Sequence, residues 1–111
     1  MRGIDREIVL DSRHIAKHIP GTSQVQRLLK RGRSAHVFNN VATMERVAQA
    51  IIERGEFTGV IRGYERYGLF FADSIGNRIS PDDGSSTPLF YGEGKIDTEN
   101  RYHVVPRTRP S

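Results

Sequence analysis

The stretch TMERVAQAIIERGEFTGVIRGY (residues 43–64) changes period halfway along its length. In its first half Met44, Val47, Ala48, Ile51 and Ile52 recur at i, i+3, i+4, i+7 and i+8, a single apolar stripe on a helix. Thr43 suits the cap at the start, and Arg54 followed by Gly55 suits the end, where a cation and a glycine are both favourable. From Phe57 the composition turns to strand formers, FTGVIRGY, with glycines at 59 and 63. A helix therefore hands over to a strand at Gly55.

Upstream the pattern stays helical. Residues 5–19 read as a helix, or as a strand-like lead followed by a helix, with Ile8, Ser12, Ile15 and Ile19 at helical spacing and Asp11 or Ser12 as its cap. Pro20-Gly21 ends it. Thr22 or Ser23 then caps a second helix with Val25, Leu28 and Leu29 on one face, closed by Gly32. Residues 35–38 read as a bridge or short strand. Downstream, residues 67–72, 75–79, 89–91 and 101–105 read as strands, with a strong turn at residues 80–84. The expected architecture is α+β, with N-terminal helices packed on one face of a C-terminal antiparallel sheet of four to five strands. Residues 1–111 are expected to form one domain, mainly helical over 1–55, sheet over 56–105 and an extended tail over 106–111.

The charge distribution bears on function. The net charge is +4, yet residues 1–55 hold ten Lys/Arg against five Asp/Glu, and residues 56–111 hold seven against eight. A basic first half attracts phosphate-bearing partners. Cysteine is absent, which excludes disulfides and thiolate chemistry. No apolar run approaches the ~20 residues a membrane span needs. The start, MRGIDREIVLD, lacks an apolar core of signal-peptide length, so a soluble, cytoplasmic protein without a membrane partner is expected.

Three constellations carry chemistry. In the first, Arg13-His14-Ile15-Ala16-Lys17-His18, a helix would set His14 and His18 one turn apart on one face with Lys17 near the same edge. Two such histidines suit a base and an acid, or a base and a phosphate contact. A metal is not expected, since Ile15 stands where the zincin motif needs a glutamate and no third ligand lies at local spacing. The plain alternative is a half-buried histidine pair with no chemical role. In the second constellation Arg101 and His103 share one face of a strand, Tyr102 takes the other, and Arg107, Thr108 and Arg109 follow. Its plain alternative is a charged edge strand. In the third, glycines 59 and 63 flank Arg62 in a strand-like run whose register alone decides whether that arginine faces a site or solvent. Tyr64, Tyr67, Tyr91 and Tyr102 could stack on bases, although such tyrosines are more often core or rim.

Phosphate-loop, GxGxxG and GxSxG motifs are absent, and acidic residues do not cluster as a magnesium nuclease requires. The remaining His, Lys, Arg, Tyr, Thr and Ser are the residue types used in RNA transesterification, where the substrate supplies its own 2′-hydroxyl nucleophile and no cofactor is needed.

The order of features over residues 12–110 resembles the toxin domains of contact-dependent inhibition and polymorphic toxin systems that share the barnase–EndoU–colicin–RelE-like (BECR) ribonuclease fold. Many of these open with a helix reading roughly His-Ile-x-x-(Arg/Lys)-His-(Ile/Val)-x-Gly. His14-Ile15-Ala16-Lys17-His18-Ile19-Pro20-Gly21 is similar, one residue shorter between the histidines. Phe38, the helix from Thr43, Gly59, and Thr108 between Pro106 and Pro110 match later features in turn, although PRTRP replaces the more usual Thr-x-Tyr-Pro. The resemblance implies a bacterial, metal-independent endoribonuclease toxin. It makes His14 and His18 the first catalytic candidates, followed by Arg62 and Thr108. It also implies RNA as substrate and a cognate inhibitor, an immunity or antitoxin protein, as partner.

Together these readings name His14, His18, Arg62, His103 and Thr108 as catalytic, and Arg13, Lys17, Arg101, Tyr102 and Arg107 as RNA contacts. The rival readings are a non-catalytic RNA- or protein-binding module and a dimeric structural protein paired through a sheet edge. The sequence does not determine the oligomeric state.

Overall fold

The computed structural model describes residues 3–110. Its first element is a two-residue strand, β1 (Val9–Leu10), followed by single 3-10 turns at Ser12–His14 and Ala16–His18. Helix α1 (Ser23–Lys30), strand β2 (Ala35–Phe38) and helix α2 (Val41–Arg54) come next. Six strands complete the chain: β3 (Glu56–Ile61), β4 (Tyr64–Phe70), β5 (Gly76–Ile79), β6 (Ser86–Leu89), β7 (Tyr91–Ile96) and β8 (Arg101–Arg107). The protein is thus α+β. Among the described residues no helix is long and apolar enough to cross a membrane.

The strands form two sheets rather than one. The larger has the order β1-β8-β7-β4-β3 and the smaller β2-β5-β6. In the larger sheet β3, β4, β7 and β8 are antiparallel neighbours, while β1 joins β8 in parallel. Strand β2 falls on residues 35–38, which read as a bridge or short strand. Of the two readings of residues 5–19, the strand-like lead matches β1, but the helix before Pro20 is absent. Its place is taken by the β1 pairing and two short turns, the first capped by Asp11, whose carboxylate accepts the Arg13 amide at 3.2 Å. Ile19 is extended (φ −114°, ψ 128°), as the proline after it requires.

Helix α2 begins earlier than Thr43. Asn40 is its cap, and its side-chain oxygen accepts the Thr43 amide at 2.8 Å. The apolar stripe packs as its spacing predicts except at Ile52, which is only half-buried. Met44, Val47, Ala48 and Ile51 are buried with Phe38, Ile75 and Val104, and Tyr67, Leu69, Phe71 and Tyr102 lie against them. A second, smaller core joins Val25 of α1 to Ala35 and Val37 of β2.

The expected strand at residues 89–91 straddles the end of β6 and the start of β7, and most of both, including the glycine-bearing YGEGKI of β7, escapes the sequence periodicity. Gly92 and Gly94 face α2. A Cβ built on Gly92 would lie 2.7 Å from Val47 Cγ1, and one on Gly94 would lie 3.0 Å from Ile51 Cγ2. These glycines let the helix approach the sheet backbone, which other residues would prevent. The alternate residues, Tyr91, Glu93 and Lys95, therefore line the opposite face of the sheet. That face carries the candidate site.

Strands β3 and β4 meet in a two-residue turn, Arg62-Gly63, with φ of 55° and 80°. Positive φ at both positions is the type I′ geometry that suits strand twist. Strand β8 runs on through Pro106 to Arg107, so only the last few residues form a tail. Pro106, paired opposite Gly92, is buried inside the ladder.

Two substitutions test this packing. Ile51 is 1% exposed, and Ile51→Ala is expected to cost about 2–5 kcal/mol. Gly92→Ala is expected to cost about 1–3 kcal/mol by overpacking against Val47. Urea unfolding measures both. Wild-type stability in both variants would show that α2 does not rest on β7.

Candidate functional site

The sheet face turned away from α2 collects side chains from three adjacent strands. Across it the register sets Arg66 of β4 opposite Lys95 of β7, and Lys95 opposite His103 of β8. Tyr64, Arg66, Tyr91, Glu93, Lys95, His103 and Arg107 share this face because strand side chains alternate.

At the β8 end the first 3-10 turn brings in His14. Its ring stacks on His103 with centroids 4.4 Å apart and planes 23° from parallel. Tyr64 meets His103 edge-on at 5.7 Å. His103 is only 4% exposed. Burial, followed by the neighbouring His14, Lys95 and Lys17, pushes its pKa down to about 3. His14 is also lowered, by burial first and then by Lys17. Asp11, itself buried, opposes that shift, with its Oδ2 lying 3.8 Å from His14 Nε2. The stack is therefore a pair of neutral imidazoles at neutral pH, with a carboxylate beside the more accessible one.

His18 takes a different direction from the one a helix would impose. Successive 3-10 turns do not keep positions i and i+4 on one face. Its Nδ1 lies 2.8 Å from the His36 carbonyl oxygen, to which it donates as the protonated tautomer. Burial lowers its pKa to about 4. Lys17 lies near enough to depress His14, His18 and His103, and it also lines a groove with Arg27 of α1 and Arg31 just past its end.

Beside the histidines the face becomes cationic. A pocket of ≈ 280 Å³ is lined by Ile61, Arg62, Arg66, Lys95 and Arg107. Glu93, with no exposed surface, lies beneath it. Arg66 Nη1 donates to Glu93 Oε1 at 3.0 Å, and Arg107 Nε lies 3.7 Å from the same oxygen. Arg66 also donates from Nη2 to the Ile61 carbonyl at 3.3 Å. Burial, and then the charge of Arg66, push Lys95 down to about 8.

The fold thus brings His14, His103, His18 and Lys17 into one neighbourhood, and places Arg62 and Arg107 in the adjoining pocket. It does not bring Tyr102, Arg101 or Thr108 to the same place, while Arg13 stands at its edge, tied to the Asp11 carboxylate beside His14. Tyr102 points through the sheet to the opposite side, where it packs with Met44 and Ala48 of α2. Arg101 is engaged by the β7–β8 turn, through Asp97 at 3.1 Å and Glu99 at 3.1 Å. Arg13 forks onto Asp11, at 2.9 and 2.8 Å, with an exposed guanidinium. Thr108 is exposed past the end of β8, five residues and roughly 16 Å along the chain from His103.

Sequence reasoning missed Lys95, Arg66, Glu93 and Asp11. The alternation of Tyr91, Glu93 and Lys95 between glycines was the available signal for Glu93 and Lys95. It is weak, because glycine disfavours a strand until a helix packs on it. Among the described residues no group of three or more His, Cys, Asp or Glu side chains is placed to hold a metal ion.

The chain belongs to the family described as Domain of unknown function (DUF6972), whose model matches residues 6–111. No curated protein and no solved structure matches it.

The buried imidazoles make stability depend on pH with a definite sign. Their folded pKa values of about 4 (His18) and about 3 (His103) lie below the 6.5 of an ordinary imidazole. Their contribution is complete above pH 6.5 and is lost as pH falls toward the folded values, by up to ~1.4 kcal/mol per pH unit for each group. Melting temperature should therefore drop between pH 7 and pH 5. That slope should be shallower in His103→Gln, whatever its stability at pH 7. An unchanged slope would mean that His103 is not held neutral by the fold.

Proposed function

We propose that this DUF6972 domain is a metal-independent endoribonuclease of the bacterial toxin type, built on a BECR-like sheet. The observation that carries the reading is the stacked pair of neutral imidazoles, His14 and His103, beside Lys95 and the arginine pocket. A base, a cation and phosphate-binding arginines on one sheet face are the parts that RNA transesterification needs.

His14 is the base, since its side chain is 28% exposed where His103 is buried behind it. Its free nitrogen removes the 2′-hydroxyl proton, and the Asp11 carboxylate steadies the imidazolium that forms. The 2′-oxygen attacks phosphorus, and the bond to the 5′-oxygen breaks. Lys95, protonated at pH 7 and easily relieved of its proton, neutralises the phosphorane and protonates the leaving 5′-oxygen. The products are a 2′,3′-cyclic phosphate and a 5′-hydroxyl. His103 holds the His14 ring by stacking, and His18, anchored to the His36 carbonyl, fixes the adjoining turn. DNA has no 2′-hydroxyl and is not cut. On this reading the natural partners are RNA and, following the family resemblance, a cognate inhibitor protein. The setting is the bacterial cytoplasm.

A second reading, a non-catalytic binding module, draws on β3. This strand is an edge of the larger sheet and exposes Phe57, Val60 and Ile61, which suits pairing with another chain.

Incubating the pure protein with total RNA and EDTA, then mapping fragment ends, separates the two. Fragments ending in 2′,3′-cyclic phosphate are expected. His14→Ala and Lys95→Met should each lower kcat by roughly 10²–10⁴-fold and roughly 10²–10³-fold respectively, with circular dichroism unchanged. The rate should rise with pH through an apparent pKa below 6.5, as His14 becomes neutral, and fall above about 8, as Lys95 loses its proton. RNA that is bound but not cut would replace this reading with the binding module.

A further inference from the structure

Three cationic strand residues and the turn arginine build more than one phosphate needs. Lys95 stands opposite His103 in the ladder, and Arg66 stands opposite Lys95 on the far side. His103 and Arg66 are therefore two strand spacings apart, roughly 10 Å. A phosphate held at the His14–His103 stack and touching Lys95 does not reach the centre of the pocket formed by Arg62, Arg66 and Arg107. That pocket has its own volume of ≈ 280 Å³, and four of its five lining residues are cations. Glu93, buried at its floor, fixes Arg66 through a hydrogen bond at 3.0 Å and lies 3.7 Å from Arg107, which its charge attracts. Arg66 is 6% exposed and adds mainly positive charge to the pocket, while Arg62 and Arg107 are the arginines able to meet phosphate oxygens. Arg62 completes the rim from the Arg62-Gly63 turn, whose left-handed backbone sets its direction.

We propose that the Arg62–Arg66–Lys95–Arg107 pocket is a second phosphate subsite, which takes the phosphate next to the scissile one in an RNA strand. The proposal rests on the ribonuclease reading for its substrate, but the pocket's affinity for phosphate stands on its own geometry. The protein thus grips two phosphates, and the shortest good substrate carries one phosphate beyond the bond that is cut. Burial first, and then the charges of Arg66 and Arg107, lower the pKa of Lys95.

Two measurements on the full chain test this. The first is cleavage of a randomised ribodinucleoside monophosphate pool, compared with the same pool carrying one further phosphate at its 5′ end or its 3′ end. One of the two phosphorylated pools is expected to raise kcat/KM by roughly tenfold or more, the weight of charge-assisted hydrogen bonds. In Arg62→Gln and Arg107→Gln the ratio of phosphorylated to plain pool should fall toward one, whatever the variants do to the plain pool. The second is an amide chemical-shift titration with inorganic phosphate. Shifts at residues 62, 66, 95 and 107 in the wild type, reduced in both variants, are expected. Cleavage without any gain from either added phosphate would overturn the subsite and leave the ribonuclease reading intact. Phosphate shifts without cleavage of any RNA would uphold the subsite and overturn that reading. The absence of both cleavage and phosphate shifts would overturn both.

Discussion

The contact between α2 and β7 determines where every other part can go. Val47 and Ile51 sit so close to the backbone of β7 that a methyl group on Gly92 would collide with Val47 and one on Gly94 would crowd Ile51. Strand β7 is hydrogen-bonded between β4 and β8 near the middle of the larger sheet, so the helix seats on the sheet's centre. Apolar residues of β4 and β8 then close around α2, and Tyr67, Leu69, Tyr102 and Val104 all turn to that side. With one face of the sheet committed to the helix, the polar residues of the same strands are forced onto the other. The site is in this sense a by-product of the core, since strand alternation allows no other arrangement.

The opposite face carries an unusual electrostatic load. Histidines 14, 18 and 103 are held neutral by burial and by neighbouring cations, while Lys95 keeps its proton with a lowered pKa. Glu93, fully buried, binds Arg66 and lies close to Arg107. Removing a carboxylate from water is costly, and its attraction to a well-placed guanidinium offsets that cost only with good geometry. The pair is better understood as orienting two arginines than as stabilising the fold. Neutral imidazoles that accept protons, next to fixed cations that attract phosphate, form a division of labour along one row of the sheet. The register places the transition between them at Lys95.

The N-terminal segment shows how tertiary contacts overrule local periodicity. Ile8, Ser12, Ile15 and Ile19 have helical spacing, yet Val9 and Leu10 pair with Arg101 and Tyr102 of β8, and the chain then makes two 3-10 turns. Ile15 and Ile19 still reach the main core. The change matters for the site, because His14 leans onto His103 while His18 turns to the His36 carbonyl. One imidazole faces the sheet and the other is locked to a neighbouring strand, which a shared helical face would not have produced.

By itself the sequence determined the α2 stripe, the handover to strands after Gly55 and the basic bias of the chain. Each of these is local, set by side-chain period, backbone freedom or charge within a few residues. It also pointed to His14, His18, His103, Arg62 and Arg107 as reactive or phosphate-seeking types. Only the tertiary structure decided that β7 is a strand, because its glycines favour extended backbone only once a helix lies on them. Only the tertiary structure decided that Lys95, Arg66 and Glu93 belong with His103 while Tyr102, Arg101 and Thr108 do not. Those choices depend on cross-strand register, and register is set by which face of each strand the distant helix covers.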